Sequence, residues 1–97
     1  MSERQSAIYI MANKYRGTLY TGVTSDLIQR VYQHKHAQIS DFTNRYCCHC
    51  LVYYELFDEI VNAIEREKQI KAGSRRNKII LIEQMNLALL DLYPSLL

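Results

Sequence analysis

The chain has 97 residues, of which 48% are hydrophobic, and its formal net charge is +2. A chain of this length buries roughly 60–68% of the surface that it exposes when unfolded, so one core is enough to hold one domain. The sequence contains no run of about 18 apolar residues that would predict a transmembrane helix, and its N-terminus lacks the apolar segment of a signal peptide. We therefore expect a single domain over residues 1–97, located in the cytoplasm.

The sequence has three cysteines close together, Cys47, Cys48 and Cys50, and they indicate the redox compartment of the protein. An odd number of neighbouring thiols does not make a disulfide framework and is typical of a reducing compartment. Cys47 and Cys50 have the spacing of half a zinc site, but the sequence has no second cysteine pair to complete it. A zinc-stabilised interaction domain is therefore an open but weaker alternative to packing and loop roles.

The first predicted elements are two strands. Residues 7–12 and 18–24 are rich in β-branched and aromatic types, which favour strands. The short connection between them ends at Gly17, so we expect a hairpin.

The length of that loop decides where two tyrosines point. Side chains alternate along a strand. We predict a loop of residues 14–17, with Asn13 opposite Thr18, which places Tyr9 and Tyr20 on the same face of the sheet. A loop that also took in Asn13 would place them on opposite faces.

A helix follows the hairpin. Ser25 or Asp26 can cap it, and it is expected to extend to about His36. Arg30 lies beside its apolar stripe. On a period of 3.6 residues, that stripe consists of Leu27, Val31 and His34.

The second half of the chain predicts one strand and two helices. Residues 50–57 read as the strand, and Asp58 as the cap of a helix that ends near Gly73. Ser74 can cap a further helix through about Met85, after which the tail is expected to form a turn and a short segment. The order β-β-α-β-α-α predicts an α+β fold, with a small antiparallel sheet and helices packed against it.

Glu67 is the most informative charged residue. Ile60, Ile64 and Glu67 recur at helical spacing, which places this carboxylate in an apolar stripe, whereas Glu65 points to the opposite side. A carboxylate on a buried face is costly unless it is paired or binds a cation. The ordinary interpretation is an ion pair with Arg30 or a lysine, and the alternative is a hydrated Mg²⁺, which needs few protein ligands.

Arg30 and His34 are four residues apart and share one edge of their helix. A guanidinium suits phosphate oxygens and stabilises charge that builds in a transition state, while an imidazole takes or relays a proton near neutral pH. Taken alone, such a pair is more commonly a solvated face, and Tyr9 and Tyr20 are more commonly packing residues. A phenol close to a metal-bound water could nevertheless help to deprotonate it.

Six of the twelve lysines and arginines fall between Arg66 and Lys78. They predict a basic surface along the second and third helices, which is usually a solvated face but can also grip a nucleic-acid backbone. The weak candidates for such contacts are Lys68, Lys71, Arg75, Arg76 and Lys78.

Together these residues resemble the GIY-YIG nuclease family, particularly its small stand-alone bacterial members. Ala7, Ile8 and Tyr9 match the first half-motif, with Ala7 in place of its glycine, and Tyr20-Thr21-Gly22 match the second. Residues 19–35, 51–55 and 67–71 are also close to the pattern of that subfamily. The similarity extends over roughly residues 6–92.

The resemblance implies a three-stranded antiparallel sheet with flanking helices, and hydrolysis of DNA that depends on Mg²⁺ or Mn²⁺. It identifies Tyr9 and Tyr20 with the paired motif tyrosines, and Gly22 with the glycine that allows close approach of the backbone. Three further site residues follow from it: the catalytic arginine Arg30, the proton-transfer position His34 and the metal-binding glutamate Glu67.

The C-terminal tail also resembles that subfamily. Asn86 corresponds to an asparagine of the tail motif and is a possible supporting residue, although Leu87 and Leu89 replace the proline and tryptophan expected beside it. The apolar residues 87–90 leave a dimer face open.

The sequence thus predicts a metal-dependent nuclease that acts on DNA. The alternative is a nucleic-acid-binding or protein-interaction module of the same fold with little or no intrinsic activity. A protein partner would then supply its specificity.

Overall fold

The structure is a computed structural model that describes residues 5–13, 17–36 and 49–97. Within these ranges the strands form one antiparallel sheet in the order β2-β1-β3. The elements in chain order are β1 (Ser6–Ala12), β2 (Leu19–Thr24), α1 (Leu27–Lys35), β3 (Cys50–Phe57), α2 (Ile60–Ala72), α3 (Arg75–Met85) and a 3₁₀ helix (Tyr93–Leu96). The predicted α+β class and the three-stranded sheet flanked by helices are confirmed. In the described ranges, the helices are all too short or too polar to cross a membrane.

The β1–β2 hairpin has the register that keeps its tyrosines together. The N–H of Asn13 donates to the carbonyl oxygen of Thr18 at 3.2 Å, and Tyr9 lies opposite Gly22. Gly22 and Tyr20 are two positions apart on β2, so both face the same way. The rings of Tyr9 and Tyr20 accordingly lie 6.4 Å apart between centroids.

The alternation of side chains divides the core into two layers. In β1, the central strand, residues 7–12 are buried on both faces. The first layer lies under α1 and the C-terminal segment and contains Ala7, Tyr9, Met11, Leu27, Val31 and Leu51. The second lies under α2 and α3 and contains Ile8, Ile10, Ala12, Val52, Tyr53, Ala63, Ile70 and Ile82.

The ends and the apolar stripe of α1 agree with the sequence. The side chain of Asp26 caps this helix by accepting a hydrogen bond from the N–H of Gln29 at 3.2 Å. Its buried residues are Leu27, Val31 and His34. α3 likewise begins after Ser74, whose hydroxyl accepts from the N–H of Asn77 at 3.1 Å.

The predicted start of α2 is wrong. The helix begins at Ile60 after Glu59, which makes no side-chain cap hydrogen bond, and Asp58 does not cap it. The reason lies in the backbone, since the carbonyl oxygen of Glu59 accepts from the N–H groups of Asn62 and Ala63 at 3.2 and 3.3 Å. The first turn therefore starts one residue later than a cap at Asp58 requires.

The buried stripe of α2 is also rotated from the predicted one. Its buried residues are Ala63 and Ile70, whereas Ile64 is exposed. The small side chain of Ala63 faces the sheet, which turns Ile64 towards solvent. Glu67 is four residues after Ala63 and three before Ile70, so it remains on the buried side, as predicted.

The C-terminal segment packs along β3. The N–H of Leu92 donates to the carbonyl oxygen of Leu51 at 2.7 Å. Leu92, Tyr93 and Leu96 pack against the layer that contains Tyr9. The tail thus forms the expected turn and short segment, and it covers part of the face on which the candidate site lies.

Candidate active site

Tyr9 stands at the centre of the candidate site because Gly22 leaves room for its ring. Tyr9 is fully buried on the central strand. A Cβ added at position 22 would lie 2.5 Å from both the Cζ and the hydroxyl oxygen of Tyr9. The ring therefore crosses the backbone of β2 at a point where a larger residue would displace it.

The hydroxyl group of Tyr9 meets His34 across the layer. Its oxygen lies 2.8 Å from Nε2 of His34, and both groups are buried. The ring of Tyr20 completes the cluster at 5.3 Å from that of His34. The apolar stripe of α1 brings the imidazole to the sheet, and the hairpin register brings the two phenols to the same place.

Arg30 reaches the same hydroxyl group from the preceding turn of α1. Its side chain is half-buried, and its charge acts on both Tyr9 and His34. The positive charge of Arg30 therefore lies on the same side of the Tyr9 hydroxyl group as Nε2 of His34, which is 2.8 Å from the hydroxyl oxygen.

Burial sets the protonation states of this pair. It raises the pKa of Tyr9 well above the ordinary value, and the charge of Glu67 adds to this effect. Burial also lowers the pKa of His34 to about 4, with the charges of Arg30 and His49 acting in the same direction. At neutral pH the site thus holds a protonated phenol beside a neutral imidazole.

Glu67 comes to the site from α2. Its charge acts on Tyr9, and its side chain is only 14% exposed. Its Oε2 lies 2.9 Å from Nζ of Lys71, whose side chain is 53% exposed. The ion pair with a lysine that the sequence left open is therefore present.

Asn86 is placed as a support of the tail. It is buried, and its Nδ2 donates to the carbonyl oxygens of Val52 at 3.2 Å and Leu90 at 2.6 Å. Its Oδ1 accepts from the N–H of Leu90 at 2.9 Å. These bonds hold a tight turn in which Leu89 has a left-handed backbone with φ 55°. They tie the end of α3 to β3.

The basic side chains of the predicted surface differ in their partners and in their exposure to solvent. Arg66 makes a bidentate ion pair with Glu55 at 2.9 and 3.0 Å, so its charge is already engaged. Nζ of Lys78 donates to the carbonyl oxygen of Gly73 at 3.2 Å. The side chains exposed to solvent are Lys68, Lys71, Arg75 and Arg76.

Sequence reasoning missed a clamp that joins α1, β3 and the tail. Lys35 forms an ion pair with Asp91 and also donates to the carbonyl oxygen of His49 at 2.9 Å. The other carboxylate oxygen of Asp91 accepts from the N–H of Leu51 at 3.1 Å. These residues are far apart in the chain, so no local pattern in the sequence indicates that they meet.

The same clamp holds His49 close enough for its charge to act on His34. Its Nε2 is buried and has no hydrogen-bond partner in the part of the chain that the structure describes. Of the cysteines considered for a zinc site, Cys47 and Cys48 lie outside the described residues. Cys50 is a free thiol, and within the described ranges no three or more His, Cys, Asp or Glu side chains are grouped to hold a metal ion.

This sheet, with a tyrosine pair opposite a helix that carries arginine and histidine, defines a GIY-YIG nuclease fold. The family model described as the GIY-YIG catalytic domain matches residues 5–79, and the chain belongs to that family. The resemblance found in the sequence is thereby confirmed, and it places the protein in a nuclease superfamily.

Its relatives include bacterial UPF0213 proteins. One from Staphylococcus saprophyticus is 39% identical over 77 residues, which is 79% of this chain and 93% of that protein. One from Staphylococcus aureus strain N315 is 38% identical over 69 residues, which is 70% and 83% of the two chains. The solution NMR structure of the UPF0213 protein BH0048 from Bacillus halodurans matches with a TM-score of 0.54 and 28% identity, covering 84% of this chain and 86% of that one.

Proposed function

We propose that the protein is a nuclease that hydrolyses phosphodiester bonds in DNA with the help of Mg²⁺ or Mn²⁺. One observation carries this proposal. The hydroxyl group of Tyr9 is hydrogen-bonded to His34 at 2.8 Å, and it lies within reach of the charges of Arg30 and Glu67. A packing tyrosine needs one hydrogen-bond partner, whereas this one has a proton acceptor, a cation and a carboxylate around it.

In the proposed mechanism, Tyr9 and His34 move a proton. Tyr9 takes a proton from the attacking water while its own proton passes to Nε2 of His34. The lowered pKa of His34, about 4, keeps the imidazole neutral in the resting site. The negative charge of a bound phosphate then favours the protonated imidazole, so His34 accepts the proton only when substrate is bound.

Arg30 stabilises the charge that develops on phosphorus. Its guanidinium presents several donors in a planar fork, which suits two phosphate oxygens at once. The helix holds it at the edge of the site, half-buried, where a partly desolvated charge acts more strongly than it does in bulk water. A donor placed before the reaction needs no rearrangement in the transition state.

Glu67 is the residue that would hold the divalent cation. Its carboxylate is largely buried and already has a positive partner in Lys71, which fits a carboxylate that needs a cation. Mg²⁺ usually keeps several waters and binds through one or two carboxylates, so one carboxylate fits it. When bound, such an ion supplies positive charge to the phosphate and lowers the pKa of a nearby water. We further expect the protein to act in the cytoplasm.

Incubation with a substrate panel tests the proposal. The panel contains nicked, flapped, branched and single-stranded DNA, with the matching RNAs, in Mg²⁺ or Mn²⁺. We expect cleavage of at least one DNA by the parent protein and loss of cleavage in Glu67→Gln and Arg30→Ala. Cleavage that survives both substitutions would overturn the assignment. Binding without cleavage would identify the module that the sequence left open, with specificity supplied by a protein partner.

A further inference from the structure

Lys71 is the cation that the structure places on Glu67. The two side chains are one helical turn apart on α2, with Nζ and Oε2 at 2.9 Å. Their environments differ, because the glutamate side chain is 14% exposed and the lysine side chain is 53% exposed. The carboxylate is therefore fixed in the site, whereas the ammonium group is attached to a long stem that reaches it from solvent.

This arrangement makes Lys71 a competitor of any metal ion on the same carboxylate. An ammonium group and a divalent cation within a few ångströms of each other repel strongly. An ion pair between positions i and i+4 of a helix is weak when it is accessible to solvent, so a divalent ion can displace the lysine from the carboxylate. The displaced ammonium group would stay tethered beside the site.

We infer that Lys71 is an exchangeable cation: it neutralises Glu67 in the metal-free protein, and metal entry releases it to bind a phosphate of the nucleic acid. This inference rests on the proposed function. A lysine is a compact charge on a flexible stem, well suited to contact a phosphate once it is free. The protein would thereby link metal binding to its grip on the substrate.

Metal binding without any nucleic acid tests the first half. Mn²⁺ is titrated into metal-free protein and the free ion is measured by electron paramagnetic resonance. Lys71→Gln should bind Mn²⁺ roughly threefold to thirtyfold more tightly than the parent, because one nearby positive charge is lost. Lys68→Gln removes an exposed lysine of the same helix and should stay within about twofold of the parent. Glu67→Gln should lose this binding.

The outcomes of this titration distinguish the proposed metal site at Glu67 from the inference about Lys71. If Lys71→Gln binds as the parent does while Glu67→Gln loses binding, this inference is wrong and the proposed metal site stands. If Glu67→Gln binds Mn²⁺ as well as the parent does, the proposed metal site fails and this inference fails with it. Lys71→Arg retains the charge and should resemble the parent, which excludes an effect of altered packing.

The salt dependence of DNA binding tests the second half. Fluorescence anisotropy of a labelled DNA is measured over a range of salt concentrations, once with a chelator and once with Ca²⁺, which also takes oxygen ligands. With the chelator, parent and Lys71→Gln should have the same slope of log affinity against log salt. With Ca²⁺, the slope of Lys71→Gln should be smaller by about one. Equal slopes under both conditions would show that the released lysine does not contact phosphate.

Discussion

The hydroxyl oxygen of Tyr9 lies 2.8 Å from Nε2 of His34, and both groups are buried. This hydrogen bond joins the central strand to α1, so it belongs to the fold as well as to the site. Burial keeps the phenol protonated and the imidazole neutral. Protonation of the imidazole in the protein without substrate therefore costs folding stability.

The stability of the protein should fall as the pH falls from 6.5 to about 4. Burial, aided by Arg30, lowers the pKa of His34 from 6.5 to about 4. The unfolded chain regains the higher value, so in this window it binds a proton that the folded protein does not. Acid thus favours unfolding, and the full effect approaches about 3 kcal/mol. Urea denaturation from pH 7.5 downwards measures it.

Two variants isolate this contribution from other titrating groups. His34→Gln removes the imidazole and should lose most of the excess pH dependence between pH 6.5 and about 4. His36→Gln changes an exposed histidine just after the same helix and should keep the pH dependence of the parent. Identical curves for parent and His34→Gln would contradict the buried neutral imidazole.

Gly22→Ala should destabilise the protein and displace Tyr9. The new Cβ would lie 2.5 Å from the ring, and the ring cannot move without breaking its bond to His34. Overpacking of this kind typically costs about 1–3 kcal/mol. The midpoint of urea unfolding measures the loss. Gly73→Ala is the control, because its Cβ would approach no atom more closely than 3.4 Å. Equal midpoints for the two variants would refute the argument.

Local patterns were sufficient for the elements that carry Tyr9 and His34. The parity of the loop between Asn13 and Thr18 decides which face each strand residue takes, and parity can be read from a sequence. A period of 3.6 likewise places His34 on the buried side of α1 with Leu27. Both features depend on neighbours in the chain, so the sequence specifies them well.

The way in which α2 packs against the sheet could not be predicted from local sequence patterns. The large apolar side chains of Ile60 and Ile64 predict that these residues form the buried stripe. Ala63 faces the sheet instead, because a small side chain allows the helix to pack closely. The partner of Glu67 was left between Arg30 and a lysine for a related reason. Which cation lies nearest depends on how α2 crosses the sheet, and local spacing does not contain that information.

Arg30→Ala should abolish most cleavage and leave the fold intact. Loss of one preorganised donor typically costs about 10²–10³ in rate. The fold should survive because Arg30 is half-buried at the edge of α1, and Tyr9 retains its bond to His34. Single-turnover cleavage and thermal melting are measured together. Unchanged cleavage would refute the catalytic role, and a lost thermal transition would show that Arg30 is structural.

The same variant has a spectroscopic signature. The charge of Arg30 helps to lower the pKa of His34, so the pKa should rise in Arg30→Ala. An NMR titration of the His34 ring protons measures this shift. Arg30→Lys keeps a charge without the planar fork and should move it less.

Asn86→Ala should lower stability while leaving the chemistry of the site unchanged. The substitution removes the hydrogen bonds of the side chain with Val52 and Leu90 and leaves polar backbone groups with fewer partners. Such losses cost about 1–3 kcal/mol. We expect a lower unfolding midpoint and normal cleavage per folded molecule. A loss of cleavage at full stability would place Asn86 in the site.

The Glu67→Gln substitution tests whether Glu67 has a structural role or a role in metal binding. Removal of one half of a fully buried ion pair strands a charge and costs about 3–5 kcal/mol. Here the partner is a lysine whose side chain is 53% exposed, so water can take over its solvation. We therefore expect a change in stability of no more than about 1 kcal/mol, together with loss of cleavage. Melting curves with and without Mn²⁺ measure both stability and metal response.

The matched control is Glu65→Gln, on the exposed side of the same helix. It should change neither the melting temperature nor the shift that Mn²⁺ produces. The parent should gain stability as Mn²⁺ rises, because an ion that binds only the folded state stabilises it, and Glu67→Gln should lose that gain. A large fall in stability with an unchanged Mn²⁺ response would instead assign Glu67 to the fold alone, since a carboxylate that only fills an ion pair contributes nothing to metal binding.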